Sequence, residues 1–424
     1  MEKLLKLTRS EGLRQSALVM GGTFFATGFS AIAIILISRI LGPATFGEFS
    51  VGFALALILN RFNDLGLSFA LQKFAARETT IEQKNKLFSF ATRIKLLAFL
   101  FICIIGILVY LPLSRLLNFS QPLIILAAFV FSAGTTAYEH LQAILQSLHR
   151  FSQSVIANIL QAILKTLGAI GFYFFSLKNS TLIFSYYLLA PLLPVFLSLK
   201  LVPSWFKIQL NQDFIKEKKL LTSIASHASI AYLSAGIIEN IDILLVQKYL
   251  NTFEAGLLGG VSRIALLFSL VAYSLGTVLN PRVARYREKI HLQKFIKKAS
   301  LIAALSLIGF LSLIPISKWM LIFTIGPDYL SGLNILNLLL ASSFLTIAVI
   351  PFIAMFFSFE ADWYFSVSGA AQLIMILAGN LIFVPIYGLP AAAWTRLITR
   401  LSLFIFTSLL AFYLYHREYV AKKT

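Results

Sequence analysis

The fold is decided by residues 38–77, SRILGPATFGEFSVGFALALILNRFNDLGLSFALQKFAAR, which place two charges inside an apolar run of membrane length. Arg61 and Asp64 are three residues apart, so on a helix both side chains project from one face. Ionisable residues at membrane depth are rare and by default mark functional sites. A structural salt bridge between the two side chains that only lets the helix insert is the alternative. For Asp64 we favour this pairing with Arg61 over a role in ion coupling.

A weak internal repeat extends outward from this stretch. When the chain is slid so that Gly47 lies on Gly256, both copies contain an apolar helix end, a short glycine-containing turn, a long apolar helix and a basic segment. The other aligned pairs are Arg39 with Lys248, Leu41 with Leu250, Lys73 with Arg282, and Ala75 with Ala284. Six helices in each copy would make the repeats parallel, related by an axis along the membrane normal.

The composition excludes an ordinary soluble protein. The chain has 424 residues, of which 58% are hydrophobic and 12% charged, whereas about a quarter of the residues of a soluble domain are charged. The single cysteine, Cys103, excludes a disulfide framework within the chain and any multi-cysteine metal site. The net charge of +19 does not indicate a nucleic-acid partner, because the basic residues lie in short segments between apolar runs.

Apolar runs predict an all-α polytopic membrane protein with about twelve transmembrane helices in two parallel six-helix lobes around a central cleft. The lobes are predicted at 1–199 and 221–424. An amphipathic cytoplasmic linker is predicted at 200–220, where Trp205 and Phe206 stand among lysines. Most of the 36 lysines and arginines fall on one side of this map. The positive-inside rule therefore places both termini and the basic loops 73–95 and 282–298 in the cytoplasm.

The candidate site residues are charged side chains within the predicted helices. The motifs HExxH, GxxxxGK[ST] and GxSxG are absent from the sequence, so we predict no enzyme, no catalytic residue and no metal site. Arginines grip phosphate or pyrophosphate in bidentate fashion, which favours an anionic substrate. The predicted substrate-binding cations are Arg61, Lys165, Arg263, Arg396 and Arg400. Asp64, Glu239 and Asp242 are candidates for ion coupling, or alternatively for pairing with these cations.

Four runs carry a resemblance to a known family: RILGPATFGEFSVG (39–52), NDLGLSFALQKFAAR (63–77), ENIDILLVQKYL (239–250) and EAGLLGGVSRI (254–264). The chain resembles the polysaccharide (Wzx-like) flippases of the MATE/MOP transporter superfamily, which move O-antigen and other lipid-linked oligosaccharides. LGPxxFGxFS and DLGL are its most recognisable pieces. The resemblance implies two six-helix lobes, alternating access, and translocation of a polyprenyl-pyrophosphate-linked oligosaccharide to the outer leaflet of the cytoplasmic membrane.

Two other functions remain as alternatives. One is an ion-coupled exporter of small-molecule drugs from the same superfamily, and the other is a membrane glycosyltransferase or polymerase acting on the same lipid carrier. We expect no cofactor, with coupling to H⁺ or Na⁺ left open. The expected partners are the lipid-linked substrate, membrane lipids and other polysaccharide-assembly proteins, but no nucleic acid.

Overall fold

The structure is a computed structural model that describes residues 11–198, 209, 214–284, 286, 288–359, 361 and 363–419. All regular structure in these residues is helical, with short 3₁₀ helices at Ile314–Ile316 and Pro327–Gly332. The α-helices in chain order are α1 (Glu11–Asp64), α2 (Leu67–Ala75), α3 (Ile81–Leu116), α4 (Pro122–Ser147), α5 (Phe151–Phe174), α6 (Ser180–Leu189), α7 (Leu192–Ser198), α8 (Ile215–Tyr249), α9 (Thr252–Val283), α10 (Lys289–Leu313), α11 (Ser317–Thr324), α12 (Leu333–Ser358), α13 (Trp363–Tyr387) and α14 (Leu389–Tyr419).

The helices have the lengths and composition that a polytopic membrane protein requires. Ten helical stretches among the described residues are long and apolar enough to cross a membrane. One of them, Leu18–Asp64, is interrupted at Gly42 (φ 67°, ψ 169°), followed by Pro43, and therefore provides two spans. The 35 residues of α8 exceed the ~20 needed for another span. The predicted all-helical fold of about twelve spans is confirmed.

The chain divides into two compact units. Unit 1 comprises Met1–Leu41 and Glu48–Asn240, and unit 2 comprises Gly42–Gly47 and Ile241–Thr424. The boundary near the middle of the chain falls inside α8, so residues 215–240 belong to unit 1. The predicted lobe limits and the central cleft stay predictions. Most of the predicted linker, 200–220, lies outside the described residues.

Helix α4 lies at the centre of unit 1, where it packs against α2, α3, α5, α6 and α7. The helix breaks between α6 and α7 at the apolar run that contains Pro191 and Pro194, as the prolines predict. An apolar cluster of α2, α3 and α4 includes Leu71, Phe88 and Ile144.

Helix α12 has the corresponding central place in unit 2, packing against α9, α10, α11 and α14.

Residues 43–47 of α1 lie close against the start of α9, in a contact that we call the glycine crossing. A Cβ placed on Gly47 would lie 1.8 Å from the carbonyl oxygen of Thr252, and one on Gly256 would lie 1.8 Å from that of Pro43. Only glycine permits backbones to approach this closely. The two glycines are the pair that the internal repeat aligns.

The two predicted basic loops are mostly helical, which corrects the sequence map. Between residues 73 and 95, α2 continues to Ala75 and α3 begins at Ile81. Between residues 282 and 298, α9 ends at Val283 and α10 begins at Lys289. Lysine and arginine are compatible with helix ends beyond an apolar run, because their long apolar stems can lie along the helix while the charged ends stay in a polar environment. The cytoplasmic position of these segments stays a prediction.

Candidate functional site

A backbone break at the DLGL motif creates the polar centre of unit 1. Asp64 is the last residue of α1, and Leu65 (φ 45°) and Gly66 (φ 71°) both have left-handed backbone conformations before α2 begins at Leu67. The left-handed conformation costs a non-glycine residue such as Leu65 about 1 kcal/mol or more. The break ends the α1 hydrogen-bond ladder and lets Asp64 contact both α2 and α3.

Asp64 forms a buried ion pair with Lys95 of α3. Lys95 Nζ lies 2.6 Å from Asp64 Oδ1, and the two side chains are 5% and 1% exposed. Ser68 connects them: its hydroxyl donates to Asp64 Oδ1 at 2.5 Å and accepts from Lys95 Nζ at 2.6 Å. Removing one member of such a pair leaves an uncompensated charge in the core. This arrangement makes the Asp64–Lys95 pair a structural element of unit 1.

Arg61 pairs with Glu139 of α4, at 3.9 Å between Nη1 and Oε1. The Arg61 stem also lies against α8, where a Cβ on Gly236 would come within 2.4 Å of Arg61 Cγ. The predicted Arg61–Asp64 pair is therefore corrected. Position along one helix shows which side chains share a face, but Lys95 and Glu139 come from other helices and compete for the same charges.

More polar contacts continue along α4. They join Thr136 Oγ1 to Asn60 Oδ1 at 2.7 Å, Asn63 Nδ2 to Ser132 Oγ at 3.4 Å, and Thr92 Oγ1 to His140 Nε2 at 2.7 Å. Thr92 Oγ1 also donates to the Phe88 carbonyl oxygen at 2.8 Å. Thr92, Lys95 and His140 also line a cavity of about 420 Å³ between α3, α4 and the α6–α7 region, whose other walls are mainly apolar.

Lys165 on α5 is the second predicted cation of unit 1. Its ammonium group lies 4.5 Å from the centre of the Tyr187 ring, in a cation–π contact. No carboxylate in the described part of the chain forms an ion pair with it. The negative face of the tyrosine ring attracts the ammonium group and so stabilises it at this position.

In unit 2, Arg396 of α14 pairs with Asp242 of α8 at 2.5 Å between Nη2 and Oδ2. The other Asp242 oxygen accepts from the Ile243 backbone N–H at 2.9 Å. Arg400, one turn further along α14, donates to Gln372 Oε1 at 2.6 Å. The predicted alternative, in which acids pair with arginines, thus applies to Asp242 and Arg396.

The structure separates the predicted site residues between the two units. Arg61, Lys165, Asp64 and Glu239 belong to unit 1, and Arg263, Arg396, Arg400 and Asp242 belong to unit 2. Arg263 is half-buried on α9, and Glu239 is exposed on α8. That the cations share one water-filled cleft stays a prediction.

Sequence reasoning missed Lys95, which it assigned to a loop, and left Glu139 and His140 out of the candidate site residues. A signal for Lys95 was present at the start of α3. Thr80 and Gln83 form the N-terminal capping pattern T-x-x-Q, in which the Gln83 backbone N–H donates to Thr80 Oγ1 at 3.4 Å. That pattern predicts a helix from Ile81, with Lys95 well inside it. The tertiary partner of Lys95 had no signal in the local sequence.

The sequence profile of the family described as "Polysaccharide biosynthesis protein" matches residues 13–287. The chain belongs to this family. The matched residues include the backbone breaks at Gly42–Pro43 and at the DLGL motif, and Gly256 of the glycine crossing. No curated protein sequence matches the chain significantly.

Solved structures of MOP-superfamily transporters have the same fold over nearly the whole chain. An inward-facing multidrug-resistance MATE transporter aligns with a TM-score of 0.70 at 13% identity, covering 94% of this chain and 98% of its own. The lipid II flippase MurJ in an inward closed conformation gives 0.69 at 16% identity, covering 96% and 93%. The MATE multidrug transporter DinF-BH, solved as a complex, gives 0.67 at 17% identity, covering 94% of each chain. At these identities the likeness shows the fold.

Proposed function

We propose that the protein is a flippase that moves a polyprenyl-pyrophosphate-linked oligosaccharide from the inner to the outer leaflet of the cytoplasmic membrane by alternating access. The observation that carries the proposal is the presence of cations within membrane-length helices of a polysaccharide-biosynthesis family member. Bringing a charge to the bilayer centre costs at least about 2.5 kcal/mol, so several such residues need a compensating role.

The substrate-binding residues of this proposal are Arg61, Lys165, Arg263, Arg396 and Arg400. Lys165 is the best-supported member in unit 1, because its charge lies on a tyrosine ring and has no carboxylate ion pair among the described residues. In unit 2, Arg396 and Arg400 stand one turn apart on α14, about 6 Å along the axis, where two guanidinium groups can reach the two phosphoryl groups of one ligand.

The finer features of the proposal are those expected from the sequence. Both termini are cytoplasmic, the two lobes are 1–199 and 221–424, and the protein performs no covalent chemistry and needs no cofactor. A pyrophosphate carries roughly two negative charges, so an inside-negative potential drives its export by about 4 to 5 kcal/mol per 100 mV. Coupling to H⁺ or Na⁺ through Asp64, Glu239 or Asp242 is therefore not required by charge alone.

The test uses purified protein in vesicles that contain a fluorescent polyprenyl-pyrophosphate oligosaccharide. Protein-dependent movement of the label between leaflets, with potential and ion gradients imposed separately, supports the proposal. Movement of a cationic dye without movement of the lipid-linked sugar would instead favour the drug-exporter alternative. Extension or polymerisation of the sugar would favour the glycosyltransferase alternative.

A further inference from the structure

The ion pair between Asp242 and Arg396 is unequal in its accessibility. The Asp242 side chain is 2% exposed, whereas that of Arg396 is 20% exposed. The carboxylate is thus covered by protein, whereas part of the Arg396 side chain is accessible.

Asp242 depends strongly on Arg396 for its charge. Its Oδ1 accepts one bond from the next backbone N–H, and its Oδ2 accepts the guanidinium. A buried carboxylate that loses a partner of this kind costs several kcal/mol. The dependence is less strong in the other direction, because Arg396 can exchange a carboxylate oxygen for a phosphoryl oxygen in a bond of the same charge-assisted type.

The neighbouring arginine has a neutral acceptor among its contacts. Arg400 donates to the neutral amide oxygen of Gln372 at 2.6 Å. Hydrogen bonds between a charged and a neutral group are weaker than those between two charged groups. An anion with two phosphoryl groups can therefore replace this neutral acceptor at Arg400 and compete with Asp242 for Arg396.

We propose that Asp242 is an internal counter-anion that occupies Arg396 in the empty carrier and is displaced from it by a phosphoryl oxygen of a pyrophosphate amphiphile. This inference rests on the proposed function, because it assigns the pyrophosphate part of that substrate to Arg396. Its consequence is a limit on affinity. Each binding event strands the buried carboxylate, and the return of Asp242 to Arg396 helps to release the ligand.

Asp242 is a positioning residue in this scheme, since it acts through Arg396. The experiment measures binding of radiolabelled farnesyl pyrophosphate, which carries no sugar, to the full-length protein in nanodiscs. Asp242→Asn keeps an amide oxygen for Arg396 but removes the competing charge. We expect its affinity for the probe to rise about tenfold or more, the value of one charged hydrogen bond.

The matched control is Asp328→Asn, which removes the same charge from an exposed position of unit 2. We expect it to leave probe affinity unchanged. In an Arg396→Gln background, Asp242→Asn should give no gain, because the group through which it acts is missing. A gain that survives in that background would overturn the inference.

Asp242→Ser is the second variant if the asparagine protein does not fold. Unchanged or weaker probe binding by the variant that folds shows that Asp242 only supports the structure, and rejects the proposal. The results of this experiment can be distinguished from those of the experiment that tests the proposed function. If the wild type does not move the lipid-linked sugar but the affinity gain occurs, the flippase fails and the exchange at Arg396 stands. If the sugar moves without the gain, the reverse holds.

Discussion

The central helices of the two units have the same length but carry different side chains. Helices α4 and α12 each have 26 residues and each contact several helices of their own unit. Helix α4 carries Glu139 and His140, and the positions of α12 that the internal repeat aligns with them hold Ala348 and Val349. Unit 1 is therefore organised around buried polar contacts, and unit 2 around close apolar packing.

Two helical units of one chain can thus be stabilised in two different ways. In unit 1 the Asp64–Lys95 pair is buried on both sides, so its charges hold helices together. In unit 2 the core beside α12 is a stack of aromatic rings, with Phe356 and Tyr364 centroids 3.9 Å apart. The Asp242–Arg396 pair of unit 2 leaves its arginine partly open. We therefore expect charge mutations to destabilise unit 1 and to change ligand binding in unit 2.

The largest effect is expected for Lys95→Ala, which strands the buried Asp64 carboxylate. The free energy of unfolding should fall by about 3–5 kcal/mol. Thermal or denaturant unfolding in detergent measures it, with the exposed Lys178→Ala as the control of equal charge. The double variant Lys95→Met with Asp64→Leu should recover much of the loss. Equal stability of the Lys95 and Lys178 variants would contradict the structural role of this pair.

The next effect concerns function in unit 2. Arg396→Gln should lower lipid-linked oligosaccharide movement about tenfold to a hundredfold, equivalent to one charged hydrogen bond of roughly 1.5–3 kcal/mol. The double variant Arg396→Gln with Asp242→Asn removes the stranded charge, so its membrane insertion and unfolding temperature should change little. Vesicle transport assays with the single and double variants check this. Normal transport by Arg396→Gln would remove Arg396 from the substrate site.

The next prediction concerns close packing in unit 2. Gly256→Ala puts a methyl group into the carbonyl oxygen of Pro43, so the free energy of unfolding should fall by about 1–3 kcal/mol. Gly369→Ala in α13 is the matched control, since nothing lies within 4 Å of its added Cβ, and it should stabilise by up to about 1 kcal/mol. Unfolding curves that show the same sign for both would mean that the crossing tolerates separation.

The smallest effect tests the aromatic core of unit 2. Tyr364 and Thr407 share a buried hydrogen bond of 2.5 Å between their hydroxyl oxygens. Tyr364→Phe keeps the ring stack and removes this bond, so we expect a loss of about 1 kcal/mol. The measurement is the unfolding midpoint. A loss as large as that of Lys95→Ala would show that unit 2 depends on polar contacts as much as unit 1.

Much of the fold follows from local signals in the sequence. The Gly42–Pro43 break and the proline break after α6 were predictable because these residues restrict the backbone by themselves. The family was predictable from the same turn-forming runs. Helix ends were less predictable, because helices extend beyond their apolar runs. Helix α3, for example, begins at Ile81, well before the apolar run that follows Lys95.

The site was predictable in its residue types but not in its partners. Arg61 and Asp64 were expected to pair because they share a face of one helix. Their actual partners, Glu139 and Lys95, come from other helices, and which of several charges meet in a core depends on tertiary packing. Asp242 and Arg396 are 154 positions apart in the sequence, and no local pattern joins them.

The glycine crossing in unit 2 also bears on the origin of the chain. Gly47 lies on the carbonyl of Thr252 and Gly256 on that of Pro43, so each contact is repeated with its members exchanged between the repeat copies. Reciprocal contacts of this form are isologous, the type found across the twofold axis of a homodimer. A protein of half this length could form the same contact between two identical subunits. The reciprocal form of the crossing thus agrees with duplication of a half-length chain as the source of the internal repeat.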